Sequence, residues 1–271
     1  RCVRVCDEVR GDNVLTLMDR AGKSLIGTST GNSILESGCE FCGACIDVCP
    51  TGALVEKKHK WAKAATTTST VCNYCPVGCS IDIEVDSRQK VIRTKSQVKS
   101  PANHGQLCFK GKFGMEFINN QNRLKKPLIK AKEGFIETEW DEAASYLSNK
   151  LTEYKGDKFA LIASGAGTNE DNYIAQKFTR LVMETNNIDV CTNVYPELVN
   201  PLEETLGFQA ATNSIWDLEN SNGFVVMTAN LTEEQGVVGV PIKKALKTGS
   251  NLVVIDSRET ELTRYAKAWL R

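Results

Sequence analysis

The chain has 271 residues, 41% of them hydrophobic, enough for about two domains of ordinary size with real cores. Lys plus Arg and Asp plus Glu stand at 33 each, and the resulting net charge of zero gives the whole molecule no electrostatic case for nucleic acid or a membrane surface. No apolar run approaches the length of a membrane span, which leaves the 11 cysteines as the feature that needs explaining.

The chain opens on Arg1-Cys2-Val3-Arg4-Val5-Cys6-Asp7-Glu8. A Cys-x3-Cys pair is the tail of the bacterial ferredoxin motif, in which closely spaced thiolates hold one iron–sulfur cube and a last cysteine reaches a second. The first two cysteines of this copy would lie upstream, so the N-terminus reads as cut. Val14-Leu15-Thr16-Leu17 and the glycines that follow predict short extended pieces in an insertion rather than a domain.

The complete copy comes next, as Cys39-x2-Cys42-x2-Cys45-x3-Cys49-Pro50. Because the half-motifs exchange their fourth ligands, Cys6 is expected to join Cys39, Cys42 and Cys45 around one 4Fe-4S cluster. Cys2 and Cys49 would then serve a third cluster, if upstream ligands exist. Iron is soft enough to prefer sulfur, which accounts for the thiolates. Disulfides are the competing reading, disfavoured because Cys-x2-Cys neighbours suit disulfide geometry poorly and no signal peptide precedes them. The same reasoning predicts a cytoplasmic location.

Glu56 to Thr70 reads as a surface linker, with His59 solvated within it. A third site begins at Cys72-x2-Cys75-x3-Cys79 and closes at Cys108. Between Cys79 and Cys108, Ile81, Ile83 and Val85 alternate with Asp82 and Glu84, and Val91-Ile92 follow a polar turn; a hairpin is therefore expected to return the chain so that Cys108 completes a second cube. Zinc is the rival here, since Cys-x2-Cys pairs also build tetrahedral zinc sites. Residues 57–132 carry 16 Lys and Arg against 4 Asp and Glu, a local +12. That excess is either a solvated basic face or a set of cations offsetting thiolate clusters and a pyrophosphate.

Beyond residue 133 the pattern is α/β. Phe159 to Ala163, Phe224 to Met227 and Leu252 to Ile255 read as buried parallel strands, and Asn169 to Glu184 as an amphipathic helix. Together these predict an α+β ferredoxin-like 2x(4Fe-4S) segment over 1–60, a small β cluster domain over 61–132, and a partial α/β doubly wound domain over 133–271.

The block Cys72-Asn-Tyr-Cys75-Pro-Val-Gly-Cys79, followed by Asn103-His104-Gly105-Gln106-Leu107-Cys108-Phe-Lys110-Gly111-Lys112-Phe113-Gly114, resembles the N-terminal cluster domain of molybdopterin-dependent formate dehydrogenase alpha subunits. The large iron–sulfur subunit of respiratory complex I shares the layout. The likeness continues through Asn122 to Leu128, Trp140-Asp141-Glu142-Ala143 and Thr168 to Lys177, and covers essentially the whole chain. It implies that Lys110 lies between a cluster and a pterin, with an ordinary surface lysine as the plainer reading. It also implies that the α/β region binds part of a pterin dinucleotide, with Asp256-Ser257-Arg258 where the family has Asp-Pro-Arg.

Three departures weigh on function. Where the family's metal-ligating cysteine or selenocysteine and its histidine follow an Asn-Asn-x-Asp segment, this chain has Tyr195-Pro196 after Asn186-Asn187-Ile188-Asp189; a phenol replaces a soft thiolate poorly, and proline cannot act as acid or base. Cys191 stands four residues early and reads as a small core residue. Thr232 to Gly236 replaces a His-Pro pair, and the chain stops at Arg271 where the family continues. These departures count against a substrate-converting site and a bound molybdopterin dinucleotide. The expected function is an iron–sulfur electron-transfer subunit working with flavin, nicotinamide or ferredoxin-type partners. The alternatives are part of an active molybdenum or tungsten formate dehydrogenase, or a zinc-bearing scaffold.

Overall fold

The computed structural model describes residues 1–191, 196–208 and 210–271. They form two compact units, one of residues 1–119 with 211–271 and one of residues 120–210.

The first unit begins with a short helix, α1 (Cys2–Arg4), that widens into a π-helical turn over Val5–Val9. The insertion before Cys39 is an antiparallel hairpin, β1 (Leu15–Arg20) against β2 (Lys23–Thr28), with Arg20 opposite Lys23. Its two turn residues, Ala21 and Gly22, both take positive φ, 51° and 74°, as the tight turn that matches strand twist requires. A four-residue helix, α2 (Ala44–Asp47), follows the cysteine loop.

Next comes a three-stranded antiparallel sheet of β3 (Thr66–Val71), β4 (Ser80–Val85) and β5 (Val91–Ser96). The hairpin expected between Cys79 and Cys108 is β4–β5. The linker expected over Glu56 to Thr70 is corrected in two ways. Thr66–Val71 is an edge strand paired along its length with β4, and its run of β-branched side chains is what a pleated edge accepts. His59 is half-buried rather than freely solvated: its ring sits 3.2 Å from Glu116, and Arg93 donates to the carbonyls of His59 and Ala62. Arg93 thereby ties the segment down to β5.

After α3 (Phe109–Phe113), the chain re-enters this unit at 211 and builds a parallel sheet, β10 (Gly223–Met227), β11 (Asn251–Ile255) and β12 (Ala268–Leu270). The connection from β10 to β11 runs through α7 (Leu231–Glu234) and α8 (Gly239–Lys247), and that from β11 to β12 through a 3-10 turn at Glu261–Tyr265. One apolar core gathers Cys72, Cys79, Ile81, Val91, Leu107, Met115 and Val237, with Trp216 packed against it. The other joins Val226, Leu252 and Val254 of the parallel sheet to Ile242 of α8 and Leu262.

The second unit contains the hairpin β6 (Leu128–Ala131) and β7 (Gly134–Glu137), then α4 (Trp140–Thr152), β8 (Leu161–Ser164), α5 (Asn169–Leu181), β9 (Ile188–Cys191) and α6 (Pro196–Leu206). β8 and β9 pair in parallel around the α5 crossover. Thr168 caps α5 reciprocally with Asp171, which is why the helix starts at Asn169. The single doubly wound sheet expected over 133–271 is therefore two separate parallel sheets, β8–β9 and β10–β11–β12. Residues 120–210 form a unit of their own, and among the described residues their strands pair within it. Tyr195 lies outside the described residues, as does the side chain of Cys191.

Candidate metal centres

Four thiols converge on a cavity of about 310 Å³ lined by Cys6, Cys39, Cys42 and Cys45. Cys6 reaches the cavity from the π-helical turn over Val5–Val9. Cys39 and Cys42 sit on a loop in which Phe41 and Gly43 take φ of 52° and 72°. That winding aims an amide at sulfur, Phe41 N–H donating to Cys39 Sγ at 3.4 Å, and Val14 N–H donates to Cys6 Sγ at 3.3 Å. Cys45 is presented by α2. Val14, Phe41, Ile46 and Leu54 supply the apolar wall.

Burial pushes the Cys39 thiol up to about 11 and the Cys45 thiol up to about 12, with neighbouring cysteines adding to both. Burial also raises Cys42, and the positive charge of Arg10 is the largest opposing influence. Four thiolates cannot share such a space without a compensating cation. Among the described residues no three His, Cys, Asp or Glu side chains are gathered to hold a single metal ion. The donor set and the cavity fit an iron–sulfur cube.

Cys49 does not line this cavity. Its sulfur accepts from Leu54 N–H at 3.4 Å and lies 3.7 Å from Thr51 Oγ1, and these hydrogen bonds pull its pKa down to about 7. Cys2 is on α1, which packs beside α2, the helix that Cys49 follows.

The second group takes Cys72 and Cys79 from the facing ends of β3 and β4, where Cys72 N–H donates to the Cys79 carbonyl at 2.8 Å. Gly78, at φ 64°, turns the loop that carries Cys75. Cys108 caps α3, and the buried Asn103 fixes the approach to it, accepting from Ser80 N–H at 3.0 Å and donating to the Gln106 carbonyl at 2.7 Å. Burial pushes Cys79 up to about 12, with Cys72, Cys75 and Cys108 all adding. Burial likewise raises Cys72, and Lys110 is close enough to oppose it. Two glycine contacts escape the sequence, an ordinary one at Gly111 and a close one at Gly236. A Cβ on Gly111 would stand 3.7 Å from Cys72 Sγ, and one on Gly236 would stand 2.9 Å from Cys108 Cβ. Gly236 ends the stretch that departs from the family pattern, so that stretch forms part of the wall behind Cys108.

The sequence reading also missed the buried ions around both groups. Arg10 is fully buried, with Nη2 2.8 Å from Glu40 and Nη1 3.2 Å from both Gln106 Oε1 and the Leu107 carbonyl. Lys243 of α8 pairs with Asp12 and Glu40. Lys112 donates to Asp47 and to the Thr94 carbonyl, both at 2.7 Å, and lies 3.2 Å from Glu56. Of the basic residues over 57–132, Lys58, Arg93 and Lys95 pair with Glu116 and Glu84 inside the segment, and the buried Lys112 pairs with Asp47 and Glu56 outside it.

Lys110 lines a groove of about 630 Å³ together with Cys39, Phe41, Cys108, Phe109, Thr232, Glu233, Thr260 and Arg264. Asp256 and Arg258 are not in its lining. Asp256 is buried at the end of β11, where Oδ1 accepts from Arg258 N–H at 2.9 Å, and the Arg258 side chain is exposed. Asp256 Oδ2 and Thr260 Oγ1 are buried without a hydrogen-bond partner among the described residues. Such atoms fit a ligand bearing hydroxyl or amino donors, as a pterin dinucleotide does.

The sequence matches the molybdopterin oxidoreductase family over residues 123–271, more than half of the chain, and the molybdopterin oxidoreductase Fe4S4 domain over residues 65–120. The chain belongs to the molybdopterin oxidoreductase family. A ferredoxin-like domain of the type found in NADH-quinone oxidoreductase subunit 3 matches residues 1–55, so this member of the molybdopterin oxidoreductase family matches both a ferredoxin-like and an Fe4S4 domain. The F420-dependent formate dehydrogenase 2 subunit alpha of Methanococcus maripaludis is 37% identical over 74% of this chain and 30% of its own length. The NADPH-Fe(3+) oxidoreductase subunit alpha of Geobacter sulfurreducens is 33% identical over 100% of this chain and 32% of its own. The chain thus spans about a third of the length of these curated relatives. The acetylene hydratase of Pelobacter acetylenicus shares the fold, with a TM-score of 0.56 at 18% identity, over 74% of this chain and 29% of that one. No helix among the described residues is long and apolar enough to cross a membrane.

Proposed function

We propose that the chain is the iron–sulfur electron-transfer part of a multisubunit redox complex, a relative of the formate dehydrogenase alpha subunit whose own substrate site is lost. In this reading Cys6, Cys39, Cys42 and Cys45 hold one 4Fe-4S cluster and Cys72, Cys75, Cys79 and Cys108 another, with Cys2 and Cys49 contributing to a third where further ligands are supplied. The observation that carries it is the gathering of two sets of four thiols within one compact unit. Such clusters, when bound, accept and release single electrons. The chain's own residues exclude water with apolar walls, donate amide hydrogen bonds to sulfur and set the local charge, the levers by which a protein tunes a cluster. The partners would be redox subunits of flavin, nicotinamide or ferredoxin type, in a reducing compartment such as the cytoplasm that keeps thiols free.

A second reading, part of an active molybdenum or tungsten formate dehydrogenase, draws on the groove beside Lys110 and on the orphaned atoms of Asp256 and Thr260. Against it stands Tyr195-Pro196 in place of the family's metal ligand and histidine. Metal and pterin analysis of the full-length protein separates the two. Iron and sulfide without pterin support electron transfer alone, whereas stoichiometric molybdenum or tungsten overturns that reading as a complete account.

A further inference from the structure

The guanidinium of Arg10 is bounded by both cysteine loops. Its Glu40 partner follows Cys39, and the Leu107 carbonyl it meets precedes Cys108. Arg10 also lines the cavity of the first thiol group, four residues after Cys6. The side chain is fully buried, and a guanidinium does not give up its proton in a protein, so the charge is permanent and salt does not screen it effectively. Asp12 and Glu40 face two cations, Arg10 and Lys243. Removing Arg10 would leave that set with one net negative charge beside Cys39 and Cys42. A purely structural fork would have its donors satisfied, yet Arg10 Nε is buried without a hydrogen-bond acceptor among the described residues.

We propose that Arg10 is the fixed charge that sets the reduction potentials of the two thiol-held clusters, acting more strongly on the first. The inference rests on the cluster reading given above. Reduction adds one electron to a cluster, delivered by a flavin, nicotinamide-linked or ferredoxin-type donor; no bond forms or breaks, and no proton need move. A buried cation close by favours the form carrying the extra negative charge.

The test is a dithionite titration of the full-length, cluster-loaded protein, followed by electron paramagnetic resonance, in the wild type and in the Arg10→Gln, Arg10→Lys and Asp12→Asn variants. At the wild-type midpoint, Arg10→Gln should lower the ratio of reduced to oxidised first cluster roughly tenfold, which is 59 mV for a one-electron couple, and shift the second cluster less. Arg10→Lys, keeping the charge, should stay near wild type. Asp12→Asn, which removes a neighbouring anion, should raise the first potential. Full iron with an unchanged potential in Arg10→Gln overturns the proposal, as does an equal shift in Arg10→Lys. If Arg10→Gln loses iron, Asp12→Asn decides: a rise supports the proposal, and no change refutes it. Wild-type protein lacking the two 4Fe-4S signals would instead break the underlying cluster reading and take the proposal with it, a failure visible before any variant is measured.

Discussion

Lys112 lays its aliphatic stem across Gly43, so closely that a Cβ on that glycine would stand 2.6 Å from Lys112 Cγ. Gly43 belongs to the loop of the first thiol group, and Lys112 to the helix that follows Cys108. The two cysteine modules therefore meet at this buried side chain as they do at Arg10, and its ammonium continues to Asp47, Glu56 and the Thr94 carbonyl. Lys112→Met keeps the stem and strands the carboxylates. It should cost about 3 kcal/mol, read by anaerobic chemical denaturation of the loaded protein.

Cys75→Ser should remove about four iron atoms per chain, because the second cube then lacks a thiolate. Cys49→Ser should leave the iron of the two proposed complete sites in place, since Cys49 stands outside the lining of the first cavity. Iron determination on both variants checks the assignment, and equal losses would reject it.

Gly236→Ala tests the close approach behind Cys108. The new Cβ would meet both Cys108 Cβ and the Thr232 carbonyl at 2.9 Å, so backbone must move, at a cost of about 1–3 kcal/mol. The expected signature is a changed electron paramagnetic resonance line shape for the second cluster, with the first unaltered.

Glu84 supplies a pH dependence. Burial alone would raise its pKa, but hydrogen bonds from Lys95 and Arg93 outweigh that and hold it below the ordinary 4.5. A depressed carboxylate contributes stability that is present above the unfolded pKa and lost as pH falls through the folded one. Glu84→Gln should therefore be less stable than wild type at neutral pH, and the difference should shrink as the pH drops below about 4.5. Unfolding midpoints measured across that range would show it, and a constant difference would contradict it.

Thr168→Ala removes one half of the reciprocal cap on α5. About 1 kcal/mol of stability should be lost. The loss should register in the exchange protection of amides in 169–181 rather than around the cysteines, because the cap belongs to the other compact unit.

Several features were legible from the sequence alone because they are encoded between near neighbours. The cysteine spacings identify a thiolate-binding loop. The alternation from Ile81 to Val85 marks β4, and the amphipathic run from Asn169 marks α5, which ends at Leu181 rather than Glu184. Other features existed only once distant segments met. Thr66–Val71 looks like a polar linker until β4 supplies its hydrogen-bonding partner, and His59 looks solvated until Glu116 arrives from 57 positions away. Lys243 and Asp12 are 231 positions apart, and neither would tolerate burial without the other, since a lone buried charge is far costlier than a paired one. No window along the chain contains both. Local periodicity and spacing thus determined where the thiols and the short elements lie, while the tertiary structure decided which charges surround the thiols, because only long-range packing can exclude water from ions and still pair them.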